Sequence, residues 1–396
     1  MKVVLAGYGG RGDVEPFAAV GRELLRRGHD VRVAVPPNFV GIAESVGLTA
    51  AAYGPDSRVE MNPGTELVRN ALPKMHNPIS MLPEMIEHIS QLKAGKSATL
   101  TAQAEGADLI VAGANEEGLA AIVAEYYGIP LVVLHLFPAR LWSSWWLGSI
   151  ITKETDDVQR RALGLPEATG ASARSLEIQA YDEFCLPGHA AQWVEPDVRR
   201  PFIGALTLEL PTNADDEVLS WIAAGTPPIY FGFGSSPIER YGDIVATISS
   251  ACAELGQRAL ICSGANDFAH IPEYDHVRVV AAVSHSVIFP ACRAVVHHGG
   301  AGTTAAGMRA GIPTLILWFW LDQPMWAAAV EQLKVGSGRP FASTTRESLV
   351  ADLRSILTAP YVTRAREVAA QITEPTKSVA SAADLLEDAA RLGRVG

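Results

Sequence analysis

Short unbroken apolar runs alternate along this chain with longer stretches whose apolar residues recur every three or four positions. Val3–Ala6 is such a run, of the kind expected for a strand buried on both faces. A glycine-rich bend follows it. Asp13 can then cap a helix with Pro16 in its first turn and Phe17, Val20 and Leu24 on one face, and Gly28 marks its stop. Val31–Val35 reads as the next strand, ended by Pro36-Pro37. Leu109–Ala112 and Leu131–Leu134 flank a helix at Glu117–Tyr127, closed by Gly128. Alternation of this kind predicts a doubly wound parallel sheet.

The pattern restarts in the second half. Ile229–Phe233 reads as a strand followed by Gly234-Ser235-Ser236-Pro237. Ile244–Leu255 and Gln323–Leu333 have helical spacing, while Ala259–Cys262, Val277–Val280, Ala294–Val296 and Thr314–Leu317 read as strands. The polar stretch 211–216 carries no strand signal and marks a boundary. The expected fold is therefore α/β, with two Rossmann-like doubly wound domains, 1–210 and 217–375, facing across a cleft. Ligands are expected at the carboxyl ends of the strands. Within 376–396, about Ser378–Leu392 has the spacing of a helix expected to pack back on the first domain.

With 396 residues, 48% hydrophobic and 19% charged, the chain can bury two ordinary cores. A net charge of −11 argues against a nucleic-acid partner. Cys185, Cys252, Cys262 and Cys292 show no C-x-x-C spacing and read as buried, reduced thiols. The amino terminus runs directly into the first strand, and no apolar run approaches the roughly 18 residues that cross a bilayer. A cytoplasmic protein is expected.

The richest chemistry lies in Val295-Val296-His297-His298-Gly299-Gly300-Ala301-Gly302-Thr303-Thr304, where a strand ends in two histidines, glycines and a helix start. Glycines let backbone amides approach an anion, and the helix end adds unpaired N–H groups and a positive dipole. That is a phosphate or diphosphate site, to which His297 can donate. Thr303 and Thr304 read as helix caps, phosphate donors or both. Asp322-Gln323 can accept from and donate to sugar hydroxyls, or can simply start a helix with Pro324 in its first turn. In Gly7-Tyr8-Gly9-Gly10-Arg11-Gly12-Asp13, Arg11 can reach a diphosphate, and Asp13 can serve as a general base or as the helix cap. The dinucleotide fingerprint is out of register there, which speaks against an oxidoreductase. Neither Asp-x-Asp nor a His/Cys ligand cluster occurs, so no metal and no cofactor are expected; amides and a helix end must balance the diphosphate. Arg140–Leu147 holds three of the eight tryptophans, which suit sugars, apolar acceptors, a membrane surface or plain packing.

These residues resemble the nucleotide-sugar-dependent glycosyltransferases of the GT-B fold, family 1, closest to actinobacterial enzymes acting on glycopeptide antibiotics, glycolipids and sterols. The likeness spans nearly the whole chain and rests on Gly9–Pro16, Phe231–Ser235, His297–Thr304 and Asp322-Gln323-Pro324. It implies that Asp13 is the general base. It implies a diphosphate loop of His297, Gly299, Ala301, Gly302 and Thr303, assisted by Ser235 and Arg11. Asp322 and Gln323 would meet the donor sugar, and Val283 and Ser284 the nucleotide base. The implied reaction is inverting, metal-independent transfer from a UDP- or dTDP-sugar to a hydroxyl of a small-molecule, lipid or glycopeptide acceptor, with peripheral membrane contact left open. An epimerase or hydrolase acting on nucleotide sugars is the rival within the fold. Relatives often carry Ser or Thr where this chain has Gly10, and the stretch Phe137–Asp157 is short for the family's acceptor side.

Overall fold

In a computed structural model, the described residues are 1–60, 82–139, 146–167, 176–187, 198–234, 238, 241–264, 266, 272–320 and 322–393. They form two compact units. The first comprises Met1–Ala180, His189–Leu208 and Pro375–Gly396; the second comprises Tyr181–Gly188 and Glu209–Glu374.

The first unit contains strands β1 (Lys2–Ala6), β2 (Asp30–Val35), β3 (Thr49–Ala52), β4 (Leu109–Gly113), β5 (Leu131–His135) and β6 (Leu176–Gln179). They pair in parallel in the order β3-β2-β1-β4-β5-β6. Val3, Val4, Leu5 and Ala6 are fully buried, as an unbroken apolar strand between two helical layers requires. One face is covered by helices Leu82–Ala104 and Glu117–Tyr127, through Leu100, Leu119 and Val123. Helix Arg11–Arg26 buries Phe17, Val20 and Leu24. Gly21 lets that helix come close, since a Cβ there would lie 3.0 Å from Leu5 Cδ1. The terminal helix Pro375–Gly393 belongs to this unit. Arg27 meets Asp384 at 2.7 Å and His29 meets Glu387 at 2.8 Å.

The second unit repeats the plan with β7 (Ile229–Gly232), β8 (Ala259–Cys262), β9 (Val277–Val280), β10 (Ala294–His297), β11 (Thr314–Trp318) and β12 (Gly336–Pro340). Their order is β12-β11-β10-β7-β8-β9, again parallel. Counted within its own unit, each sheet runs 3-2-1-4-5-6, the order of a dinucleotide-binding fold. Phe231, Val296 and Leu315 pack against helices Tyr241–Glu254 and Arg346–Ile356. Tyr230, Leu260 and Val295 pack on the opposite face with Ile288 and Phe289. The strand order reverses between β1 and β4 in one unit and between β7 and β10 in the other, and crevices open at such reversals.

All four cysteines are free thiols. No helix among the described residues is long and apolar enough to cross a membrane.

Candidate functional site

The glycine loop after β10 occupies the reversal point of the second sheet. Gly299 has φ +95°, and a Cβ there would lie 2.8 Å from Ile316 Cγ2 and 3.1 Å from Gln323 Cβ. Only glycine meets both conditions, and the close approach sets the loop against the Asp322-Gln323 motif. Helix Ala301–Arg309 then starts from Gly300, with no side-chain cap. Its first N–H groups, those of Ala301, Gly302 and Thr303, are the donors a helix leaves without intrahelical partners. Thr304 is committed within the helix, its hydroxyl donating to Gly300 O at 2.9 Å. Thr303 is half-buried at the helix start.

The two histidines take different positions. His297 is still within β10, in register with Gly232 and Ile316, and shares the face of Val295 because strand side chains alternate. Its ring has no exposed surface. Nδ1 accepts from Gly299 N at 3.0 Å, so the proton sits on Nε2. That Nε2 has no hydrogen-bond partner among the described residues. Burial, then the nearby His298 and His285, hold its pKa well below the ordinary value. His298 is the first residue past the strand. A Cβ on Gly234 would lie 2.8 Å from its Cε1, and one on Gly300 2.7 Å from its Nε2. Its ring thus stands between the loops that leave β7 and β10. Desolvation lowers its pKa to about 4, opposed by a hydrogen bond to the Gly232 backbone. Alternation of side chains was the signal that separates these rings: the strand's last residue points into the core, and the next one reaches the loop.

Beyond β11, Gln323 Oε1 accepts from Phe319 N at 2.8 Å and Trp320 N at 3.3 Å, which fixes the approach to the helix Gln323–Gln332. Asp322 Oδ2 accepts from Trp326 Nε1 at 3.1 Å, and burial raises its pKa against that bond. Val283 lies in the core beside Ile288 and Phe289. Ser284 N donates to Asp215 Oδ1 at 2.9 Å, and Asp215 also accepts from Thr212 N and Oγ1, both at 2.7 Å. Asp215, in the polar stretch read as a boundary, therefore anchors the segment that starts the helix His285–Ile288. Ser235 lies outside the described residues, as does Arg140–Trp145 of the tryptophan-rich segment.

In the first unit, Gly10 precedes the helix and Asp13 stands in its first turn, where its Oδ2 accepts from Gly10 N at 2.8 Å. Asp13 caps the helix from inside rather than from before it. Gly9 has φ +145°, and a Cβ there would collide with that carboxylate. Asp13 lines a pocket with Gly7, Tyr8, Phe17, Asn115 and Glu116, at the reversal point of the first sheet. Arg11 is exposed and pairs with Glu15 at 2.9 Å. The residues that sequence reasoning missed are Lys96, Glu116 and Tyr53. Lys96 Nζ donates to Glu116 Oε1 at 2.7 Å, and Tyr53 OH donates to Glu116 Oε2 at 2.5 Å. Burial and then the Glu116 charge push the Tyr53 pKa well up. Nothing in local spacing marks this cluster, because its members come from three separate elements.

Residues 3–143 match the glycosyltransferase family 28 N-terminal domain, and residues 253–390 match the erythromycin biosynthesis protein CIII-like C-terminal domain. The glycosyltransferase Rv1524 of Mycobacterium tuberculosis is 56% identical over 420 residues, covering 100% of both chains. That alignment is longer than the 396 residues of this chain, so the relative carries residues this one lacks. The sterol 3-beta-glucosyltransferase UGT80A2 of Arabidopsis thaliana is 31% identical over 379 residues, covering 85% of this chain and 57% of its own length. Among solved structures, the glycotransferase of kitacinnamycin superposes with a TM-score of 0.71 at 18% identity, over 98% of each chain. The glycosyltransferase VinC in complex with dTDP superposes at 0.67 and 19% identity, over 100% of each. Two Rossmann-like sheets, the paired glycine loops and a full-length relative at this identity lead to one conclusion: the chain is a glycosyltransferase, a member of family 1 with the GT-B fold.

Proposed function

We propose that the protein transfers a sugar from a UDP- or dTDP-sugar to a hydroxyl of a small-molecule, lipid or glycopeptide acceptor, with inversion at the anomeric carbon and without a metal ion. The observation that carries this reading is the glycine loop after β10, which abuts Gln323 and leads into a helix with no side-chain cap. An uncapped helix start with close-approaching amides binds a diphosphate without a cation. The name of VinC with its dTDP supports a nucleotide diphosphate as the leaving group, and that of the sterol glucosyltransferase supports a hydrophobic alcohol as acceptor. Four free thiols fit a cytoplasmic setting.

In this reading the amides of Gly299, Ala301, Gly302 and Thr303 take the diphosphate, with Ser235 beside them. His297 offers its Nε2–H from below, and His298 lines the mouth. Arg11 would exchange Glu15 for a phosphate oxygen. Asp322 and Gln323 meet the sugar hydroxyls, and the backbone of Val283 and Ser284 meets the nucleotide base. Asp13 removes the acceptor proton while retaining its helix-end hydrogen bond, which keeps the carboxylate aimed. The hydroxyl oxygen bonds to the anomeric carbon as the bond to the diphosphate oxygen breaks, and attack from the face opposite the leaving group inverts the centre.

Asp13→Asn is expected to lower turnover about 10²–10⁴-fold, the scale of a general base, while UDP affinity stays within twofold. Radiolabelled transfer and calorimetry separate the two effects. Turnover within threefold of wild type would remove Asp13 from the proton transfer. Millimolar EDTA is expected to leave the rate unchanged, and strong inhibition would point to a required metal.

A further inference from the structure

Asp215 is only 4% exposed, and the start of its own helix accounts for only part of its bonding. That helix, Asp215–Ala223, begins in the polar stretch between the two sheets. Oδ2 accepts from Thr212 N and Oδ1 from Thr212 Oγ1, both at 2.7 Å, while Asp215 N donates back to Thr212 O at 3.2 Å. These reciprocal bonds close the helix start, as local pairs of this kind do. The remaining bond is different. Oδ1 also accepts from Ser284 N at 2.9 Å, across 69 residues of sequence. A desolvated carboxylate is a stronger acceptor than a neutral oxygen, so this bond holds the Ser284 segment in place.

That segment runs from Val283 into the helix His285–Ile288. Ser284 is 5% exposed, and its carbonyl oxygen accepts from Ile288 N at 2.9 Å, so a shift at Ser284 carries the helix start with it. On the sheet side, Tyr230 OH lies 3.2 Å from His285 Nε2, and the His285 ring stacks on Phe289 at 4.4 Å. The strip is thus fixed from two directions, by the sheet and by Asp215. The backbone N–H and C=O of Val283, beside the Ser284 bond, have no hydrogen-bond partner among the described residues. One donor and one acceptor on the same residue match the edge of a pyrimidine, where a ring N–H stands beside a carbonyl oxygen. We infer that Asp215 is a positioning residue for recognition of the nucleotide base. Its carboxylate holds Ser284 so that the main chain of Val283 keeps the geometry the base requires. Asp215 acts through Ser284 and contacts no substrate itself. This inference rests on the reading that Val283 and Ser284 meet the base, and it adds what keeps them there.

The test measures binding of UDP, dTDP and inorganic pyrophosphate by titration calorimetry; pyrophosphate suits the glycine loop but offers no base. Asp215→Ala is expected to weaken the tighter nucleotide roughly tenfold, the scale of a lost hydrogen bond to a charged group, and pyrophosphate less than about twofold. Asp215→Ser leaves a hydroxyl at the helix start that is one bond too short for Ser284 N. It should behave like Asp215→Ala, so a poorly folded alanine variant does not end the test. Asp215→Asn keeps an oxygen for Ser284 N and should hold the nucleotide-to-pyrophosphate ratio close to that of wild type. Thr212→Val removes a bond of the helix start alone, and should lower the melting temperature without changing that ratio. Three results would overturn the proposal: equal losses of nucleotide and pyrophosphate in folded variants, an unchanged ratio in Asp215→Ala and Asp215→Ser, or an equal fall of the ratio in Thr212→Val. Wild-type protein that binds both nucleotides no more tightly than pyrophosphate would refute the base reading on which the proposal rests, so the two failures are distinct.

Discussion

His298, with its pKa lowered to about 4, is neutral in the folded protein at pH 7, as is His297, shifted in the same direction. In the unfolded chain both titrate near 6.5. Between the two values the unfolded chain binds protons that the folded chain does not, so stability falls as pH is lowered from about 6.5 toward 4. Melting temperature should drop through that window, and His298→Gln should flatten the drop. An unchanged slope would mean that His298 is not the group responsible. His298→Ala should also weaken UDP binding about tenfold. His297→Ala, by removing a fully buried ring whose Nε2–H meets the diphosphate in the proposed reading, should cost both stability and UDP affinity. The sequence made this region legible as a loop, since the glycines and the helix start were visible, but not which ring lies within the strand and which beyond it. That depends on where β10 ends, and a one-residue difference moves a side chain to the other face.

At the scale of elements, legibility followed composition. β1, β4 and β5 are unbroken apolar runs and were readable to within a residue. β12 was not, because Gly336-Ser337-Gly338-Arg339-Pro340 has little intrinsic preference for a strand. Its neighbour decides: a Cβ on Gly336 would collide with the carbonyl oxygen of Thr314, so the edge strand lies closer to β11 than other residues allow. Gly336→Ala is therefore expected to cost about 1–3 kcal/mol, the usual penalty of overpacking, as read from urea unfolding. Stability within 0.5 kcal/mol of wild type would show that the edge strand yields readily. Helix Leu82–Ala104 was missed because its apolar residues do not gather on one face. β6 was missed because Glu177 and Gln179 interrupt its apolar character; both are buried, and Arg200 donates to Glu177 at 2.8 Å.

For the whole molecule, the repeated strand–helix alternation carried the doubly wound sheets, but not the order of strands within each, since alternation alone is compatible with more than one order. What also could not be read was the path of the chain between units, because it is set by single polar contacts far apart in sequence. Tyr181–Gly188 is grouped with the second unit, where Asp182 Oδ1 accepts from Thr373 Oγ1 at 2.5 Å and Tyr181 meets Trp326 edge to face at 6.2 Å. Asp182→Ala, which leaves Thr373 without this partner, should cost about 1–3 kcal/mol by urea unfolding. No loss would show that Thr373 finds water instead.

The woven path of the backbone limits how this enzyme can be dissected. The polypeptide passes between its units after residues 180, 188, 208 and 374. Severing the peptide after Leu208 would strand the Tyr181–Gly188 strap on one piece and the Pro375–Gly393 helix on the other. Arg27 and His29 would lose Glu387, and Thr373 would lose Asp182. Neither piece is a ready-made lobe, and recombining the two units from different relatives requires carrying the strap and the terminal helix along with the units they complete.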